Sequence, residues 1–161
     1  MTQPAQTKAR KIASTFDLDD AIGFVIEVTE QLMKRELRKS FKAHGLDLTP
    51  YQWIVLYRLN QKDGLNQAEI AELTTKDRPN ITRIVDVMEK QDLVERRSSP
   101  SDRRVNQVFL SDKGRELLAR LPAIVSEHLS RATRDIPAKD LATTKSVLRS
   151  MSKNLQNGAE K

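Results

Sequence analysis

The chain has 161 residues, of which 38% are hydrophobic and 31% charged, and its formal net charge is +6. This length fits one domain with an extra helical region. The positive charge favours a polyanionic partner, although a basic housekeeping protein would have the same balance. The absence of cysteine excludes disulfides and thiol redox sensing. No apolar stretch could cross a membrane and no signal peptide is visible, so we expect a cytoplasmic protein with no membrane partner.

The N-terminal region predicts a basic arm followed by a long helix. Residues 1–15 carry cations and no acid, which is typical of a flexible basic arm. Apolar residues at spacings of four and seven predict a helix from about Asp19 to His44, which Gly45 ends. So long an apolar stripe needs a partner along its whole length, and residues 16–48 are therefore predicted to form an N-terminal dimerisation helix. The stripe consists of Ile22, Ile26, Met33, Leu37 and Phe41.

Three shorter helices follow. Thr49-Pro50-Tyr51-Gln52 is a helix start with a capping box and a proline at the first helical position. Asn66, with Glu69 three residues later, predicts the start of a short helix. A third helix begins near Arg78-Pro79, because the residue before a proline disfavours helical angles. Its buried stripe is predicted to contain Ile81, Ile84, Val85 and Met88.

The next segment predicts a β-hairpin. Leu93–Arg97 and Val105–Leu110 have the composition of two strands, and the polar loop SSPSDRR between them is too long for a tight turn. Together with the three helices, this hairpin makes residues 49–110 a winged helix-turn-helix lobe.

Residues 111–161 predict two further helices. Ser111 can cap the first, and Pro122 lies inside it. After Pro137, apolar residues alternate at three and four, which is the spacing of a helix–helix seam. The predicted fold is mainly α with a small β-wing: a winged helix-turn-helix core flanked by N- and C-terminal dimerisation helices.

The third short helix carries a polar face opposite its buried stripe. Asn80, Thr82 and Arg83 are residue types that read base edges in a DNA major groove. Taken alone, this face fits an ordinary solvated helix equally well, and the arginine-rich hairpin that follows favours the DNA interpretation. The predicted DNA-contacting residues of this region are Lys76, Arg78, Asn80, Thr82 and Arg83.

The segment from Leu73 to Gly114 resembles the MarR family of winged-helix regulators. The most specific motif is Asp-x-Arg, a strand ending in Leu-Ser/Thr, and Lys-Gly, present as Asp102-Arg103-Arg104, Leu110-Ser111 and Lys113-Gly114. Serine replaces the commoner threonine at position 111, and both can cap a helix. The flanking helices also match the family's dimerisation elements, so the resemblance covers nearly the whole chain.

The resemblance implies roles for the wing residues. Arg104 corresponds to the family arginine that enters the minor groove, where narrow A·T-rich DNA attracts arginine, and Asp102 corresponds to the acid that orients it. A turn-stabilising ion pair between Asp102 and Arg104 is an alternative compatible with this role. Arg96, Arg97 and Arg103 are expected to contact phosphates.

The family also binds small anionic or aromatic compounds between the dimerisation helices and the DNA-binding lobe, so we expect such an effector. The candidate lining residues, each of which also fits a packed core, are Met33, Trp53, Tyr57, Met88 and His128. With two histidines and no cysteine, neither a dedicated metal site nor a cofactor is expected.

These observations predict a homodimeric transcription regulator that represses from a pseudo-palindromic double-stranded DNA operator and is released by a small ligand. A winged helix that binds only other proteins is the alternative, and the basic wing argues against it. An enzyme is not expected, because the sequence contains no nucleophile–base pairing, metal cluster or phosphate-binding glycine loop.

Overall fold

A computed structural model describes residues 17–98 and 106–158. The chain forms two compact units, Met1–Leu118 and Ala119–Lys161. The helices are α1 (Ile22–Ala43), α2 (Pro50–Gln61), α3 (Gln67–Thr74), α4 (Arg78–Lys90), α5 (Asp112–Ala132) and α6 (Ala138–Gly158). The strands are β1 (Leu65–Asn66), β2 (Val94–Ser98) and β3 (Asn106–Leu110). The mainly helical fold with a small sheet is as predicted, while the predicted arm over residues 1–15 lies outside the described residues.

Local capping interactions determine where the helices of the first unit begin. Thr49 Oγ1 accepts from the Gln52 backbone N–H at 3.2 Å and Gln52 Oε1 accepts from the Thr49 N–H at 2.8 Å, so the predicted capping box is confirmed. Asn66 caps α3 as predicted, and with Glu69 it forms a second capping box. The N-cap of α4 is Asp77, the residue before the predicted helix start at Arg78-Pro79. Each cap satisfies backbone donors that a helix start otherwise leaves without partners.

The first unit contains a three-stranded antiparallel sheet in the order β1-β3-β2. The predicted hairpin is confirmed as β2 and β3, with β2 shifted by one residue from the expected Leu93–Arg97. The sequence pattern did not predict the third strand, Leu65–Asn66, which pairs with β3 at Val108 and Gln107. Two residues are too few to show the alternation that reveals a strand in a sequence.

Helix α4 is held in the core of the first unit by one face. Ile81, Val85 and Met88 are fully buried, and Ile84 is half-buried, so the predicted stripe is confirmed. The helices and strands around it contribute other fully buried side chains: Phe41, Val55, Leu56, Leu59, Leu65, Ile70 and Val108. Because the core fixes this face, the opposite face of α4 is left for solvent or for a partner.

Helix α1 is shorter than predicted at its N-terminus. It begins at Ile22, because the preceding residues form a turn in which the Asp19 N–H donates to Asp17 Oδ1 at 3.0 Å. It ends before Gly45, whose φ of +71° is the left-handed conformation expected at a helix stop. Leu37 is buried near the C-terminal end, whereas Ile22 is 57% exposed. Ile26 is half-buried, so the described residues cover the N-terminal half of the apolar stripe only in part.

The predicted C-terminal helices are confirmed as α5 and α6. Ser111 Oγ accepts from the Gly114 N–H at 2.9 Å, which is the expected cap, and Pro122 lies inside α5. No side chain of α6 is buried among its described residues, and Leu155 is 76% exposed. Over residues 17–98 and 106–158, none of the helices combines the length and apolar character needed to span a membrane.

Candidate nucleic-acid interface

The solvent-facing side of α4 brings together the polar residues that the sequence pattern singled out. Arg78, Asn80 and Arg83 are exposed, and Thr82 is half-buried. Within the described part of the chain, Arg83 has no ion pair. Arg78 and Asn80 lie in the first turn of the helix, where the backbone dipole is positive and favours anions. The face can donate several hydrogen bonds to an anionic partner.

Asp77 orients the Asn80 side chain. Its Oδ1 accepts from the Asn80 backbone N–H at 2.8 Å, and its Oδ2 accepts from Asn80 Nδ2 at 2.9 Å. One carboxylate thus caps the helix and also holds the Asn80 amide in place.

Thr82 is engaged inside the lobe. Its hydroxyl donates to the Arg78 carbonyl oxygen at 3.0 Å. With its amide oriented to satisfy both neighbours, Gln67 of α3 donates to Thr82 Oγ1 at 2.8 Å and accepts from Arg96 Nη2 at 3.1 Å. Thr82 therefore connects the exposed face of α4 to α3 and β2.

Arg96 points into the lobe, although the sequence analysis assigned it to phosphates. Its guanidinium pairs with Asp86 Oδ1 and Glu89 Oε2 of α4, each at 2.5 Å, and its side chain is only 18% exposed. The run Glu95-Arg96-Arg97 does not indicate which arginine points inward. The acids that pair with Arg96 belong to α4 and meet it only in the folded structure.

Arg97 points outward on the neighbouring position of β2. Its guanidinium carbon lies 4.7 Å from the centre of the Phe109 ring, and it pairs with Glu95. The side chain is 60% exposed, so the charge remains available at the surface. Asp102, Arg103 and Arg104, predicted to form the wing tip, lie outside the described residues.

Lys34, Lys76 and Tyr51 form a lysine–tyrosine cluster beside the start of α4. The sequence gives no signal that brings these three residues together. The ammonium groups of Lys34 and Lys76 lie 4.3 and 4.6 Å from the Tyr51 ring centre. Burial raises the pKa of a phenol, but hydrogen bonds and charges from both lysines outweigh it and hold the Tyr51 pKa below its usual value. Burial lowers the pKa of Lys34, yet hydrogen bonds with Glu30 and Tyr51 leave that pKa raised.

The predicted ligand-lining residues occupy different surroundings. Trp53 and Tyr57 pack together, with ring centres 5.4 Å apart. Met88 is fully buried in the core of the first unit, Met33 is half-buried on α1, and His128 is buried in the second unit.

A separate open cavity of about 570 Å³ in the first unit is lined by Arg38, Lys42, Gly45, Leu46, Asp47 and Leu48. Residues 17–98 and 106–158 contain no cluster of three or more metal-binding side chains.

Comparisons with known proteins agree with this architecture. The MarR family model matches residues 48–105. A probable transcriptional regulator from Pseudomonas aeruginosa is 29% identical, with a TM-score of 0.77 over 84% of this chain and 99% of that one. The transcriptional repressor CouR, bound to a 23-mer DNA duplex, is 31% identical, with a TM-score of 0.76 over 84% of this chain and 94% of its own.

A second structure, of CouR from Rhodococcus jostii RHA1 bound to p-coumaroyl-CoA, has 27% identity and a TM-score of 0.71 over 84% of this chain and 94% of that one. The winged helix-turn-helix geometry, the match to the family model and the identity with CouR lead to one conclusion. The chain belongs to the MarR family, and it is a transcriptional regulator and not an enzyme.

Proposed function

We propose that this regulator is a homodimeric repressor that binds a pseudo-palindromic operator in double-stranded DNA and is released by a small aromatic or anionic ligand. The observation that carries the proposal is the exposed polar face of α4, on which Asn80 is fixed by Asp77 and Arg83 is without an ion pair among the described residues. An α-helix fits the major groove, where base edges are distinguishable by their donors and acceptors. The DNA-bound structure of CouR supports this function.

The contacts divide by chemistry. Arg83 and Asn80 are proposed to reach base edges, with Thr82 contributing through its methyl group or hydroxyl. Phosphate contacts, which position the protein without reading sequence, are proposed for Arg97 and for Lys76. Arg78 and Arg103 are also proposed to contact phosphates. Arg104 is proposed to enter the minor groove, and Asp102 to orient it.

The proposed dimer rests on apolar side chains that a single chain leaves in water. Ile22 and Val25 are exposed on α1, and Val147 and Leu155 are exposed on α6. Contiguous exposed apolar surface is typical of association sites. Residues 16–48 and 111–161 are therefore proposed as the dimerisation helices, and residues 49–110 as the DNA-binding lobe. A symmetric dimer would read two half-sites about one helical turn, roughly 10 base pairs, apart.

The lysine–tyrosine cluster supports an anionic ligand. Lys34 of α1 and Lys76, which precedes α4, present two ammonium groups around Tyr51, and a carboxylate or phenolate could accept from both. Such a ligand would draw Lys76 away from DNA phosphates and so weaken operator binding. The complex of CouR with p-coumaroyl-CoA supports an aromatic ligand of this kind.

DNA binding and assembly are tested together. The intact protein is titrated onto DNA from beside its own gene by fluorescence anisotropy, with random-sequence competitor at physiological salt, and its mass is measured by light scattering. We expect strong preference for one site and a mass of twice 18.3 kDa. Deletion of residues 137–161 should cause aggregation or loss of operator binding. Equal affinity for both DNAs would favour the protein-binding alternative, and a stable monomer would contradict the dimer.

The ligand proposal has its own test. Thermal shift is measured with phenolic acids and an aryl-CoA thioester for the wild type, for Lys34→Ala and for Lys39→Ala, which removes a lysine paired with Glu36 on the same helix. We expect stabilisation by at least one compound, reduced in Lys34→Ala and retained in Lys39→Ala. Equal shifts in both variants would place the ligand elsewhere.

A further inference from the structure

We infer that Arg96 is a positioning residue: it locks the recognition helix α4 against the wing strand β2, so that both reading elements meet DNA in a fixed relation. This inference rests on the proposed DNA-binding function, and it assigns Arg96 a role in specificity instead of phosphate contact. The group of side chains involved, named here the Arg96 network, comprises Gln67, Thr82, Asp86, Glu89 and Arg96.

The network starts from two carboxylates on one face of α4. Asp86 and Glu89 are separated by nearly one helical turn, so their side chains lie side by side and converge on one guanidinium. Both contacts to Arg96 measure 2.5 Å and use different nitrogen atoms, Nη2 for Asp86 and Nη1 for Glu89. This arrangement ties two points along α4 to a single point on β2.

Arginine is the only residue type that can make all these contacts. Its planar guanidinium presents five donors in a fixed fork, whereas a lysine ammonium is a compact charge on a flexible stem. Here the fork reaches both carboxylates and also the Gln67 oxygen, 3.1 Å from Nη2 and 3.3 Å from Nε. A largely buried cation with three acceptors restricts how α4 can rotate or slide relative to β2.

Strand geometry explains why Arg96 and Arg97 differ. Successive side chains of a β-strand point to opposite faces, so one of two adjacent arginines must face the lobe when the other faces outward. Arg96 is the inward one, at 18% side-chain exposure against 60% for Arg97. Neutralised by two acids, Arg96 is poorly suited to recruit a phosphate.

Gln67 carries the effect to the DNA-facing side of α4. It bridges Arg96 and the Thr82 hydroxyl, which in turn donates to the Arg78 carbonyl oxygen. Thr82 lies next to Arg83 in the sequence, on the margin of the exposed polar face. Loosening Arg96 would therefore change both the angle of α4 and the setting of a side chain beside the proposed base-reading arginine.

Salt dependence separates a positioning arginine from a phosphate-binding one. Each phosphate contact contributes about one unit to the slope of log affinity against log salt concentration. Operator and random DNA are titrated over a salt series with the wild type, Arg96→Gln and the control Arg97→Ala. We expect Arg96→Gln to lower the operator-to-random affinity ratio roughly tenfold with an unchanged slope. Arg97→Ala should weaken both DNAs alike and reduce the slope by about one unit.

Two milder variants cover the case in which Arg96→Gln does not fold. Asp86→Asn and Glu89→Gln each remove one carboxylate and leave Arg96 paired with the other. Removing an anion near DNA should tighten binding to all sequences if only charge matters. We instead expect a lower operator-to-random ratio. Where both single variants fold, the effects of Arg96→Gln and Asp86→Asn should be non-additive, because the two side chains form one contact.

The inference is overturned if Arg96→Gln reduces the salt slope by about one unit, since the side chain would then contact a phosphate. It is also overturned if Asp86→Asn and Glu89→Gln tighten operator and random DNA equally. A wild type that shows no preference for any operator would refute the proposed function, and the role of Arg96 with it. Preference by the wild type together with either of the other results refutes the role of Arg96 alone.

Discussion

Gly114 lies so close to Leu93 that a Cβ atom on the glycine would stand 2.1 Å from the Leu93 carbonyl oxygen. The same oxygen accepts from the Ser111 N–H at 3.2 Å. The first turn of α5 is therefore pressed against the residue that precedes β2. This contact gives a physical reason for glycine after lysine in the Lys113-Gly114 motif.

Replacement of this glycine should destabilise the fold. Gly114→Ala forces the backbone apart, and we expect a loss of about 1–3 kcal/mol in the free energy of unfolding, as for other overpacked sites. Gly23→Ala on α1 is the matched control, because no atom lies within 4 Å of its would-be Cβ. The control should be neutral or stabilising by up to about 1 kcal/mol. Urea denaturation of both variants checks this, and equal stabilities would show that the Leu93 contact relaxes at no cost.

The Asp77 cap makes a second prediction, on stability and binding together. Asp77→Ala removes the acceptor for the Asn80 N–H and should cost about 1 kcal/mol of unfolding free energy. It also releases the Asn80 amide, so operator affinity should fall more than random-DNA affinity. Asp77→Asn keeps a capping oxygen and serves as the control in denaturation and anisotropy titrations. Unchanged operator preference in Asp77→Ala would mean that Asn80 does not read bases.

Arg83 provides the most direct test of base reading by α4. Arg83→Ala should weaken operator binding by roughly 1–3 kcal/mol and relax preference at one base position, if the guanidinium contacts a base edge. The measurement is anisotropy on the operator and on variants substituted at each position. Equal losses on operator and random DNA would reassign Arg83 to phosphates.

The wing prediction concerns residues outside the described ranges. Arg104→Ala should reduce operator affinity more than Arg103→Ala, because the Asp-x-Arg motif assigns the minor-groove contact to Arg104. Asp102→Ala should also reduce affinity, although it removes a negative charge that simple electrostatics would count against binding. These three variants are compared on one operator. Tighter binding by Asp102→Ala would show that the acid does not orient Arg104.

The second capping box gives a pH dependence. The Asn66 backbone N–H, at 2.8 Å, and the Lys62 ammonium lower the pKa of Glu69 below its ordinary 4.5. A lowered pKa in the folded state stabilises the fold above pH 4.5, and this contribution is lost as the pH falls through the folded value. The unfolding free energies of wild type and Glu69→Gln should therefore converge as the pH falls below 4.5, which urea denaturation at a series of pH values would measure. A difference independent of pH would contradict this ionised contact.

Local chemistry made much of the fold predictable. Thr49 and Asn66 begin helices through contacts with residues three positions later, so the signal is contained in a few neighbouring letters. The buried stripe of α4 follows from helical periodicity alone. The same periodicity identified the exposed face with Asn80 and Arg83, because this face lies opposite the buried stripe.

Tertiary contacts account for what the sequence did not reveal. Arg96 and Arg97 are the same residue type. Only the pairing of β2 with β3 and the packing of β2 against α4 distinguish their surroundings. The contact of Lys34 with Tyr51 spans 17 residues and joins two helices. The sequence also could not distinguish a core role for Met88 from a ligand-lining role, because methionine at helical spacing is typical of both.

Major-groove reading by α4 is tested by footprinting of the protein–DNA complex, because footprinting reports which groove each element occupies. Guanine N7 methylation probes the major groove, and hydroxyl-radical cleavage probes the minor groove. Both are measured on the operator bound to the wild type and bound to Arg104→Ala. We expect two protected major-groove segments about one helical turn, roughly 10 base pairs, apart, each flanked by a protected minor groove. Arg104→Ala should lose only the minor-groove protection. Protection of the minor groove alone, or uniform protection without two separated segments, would contradict major-groove reading by α4.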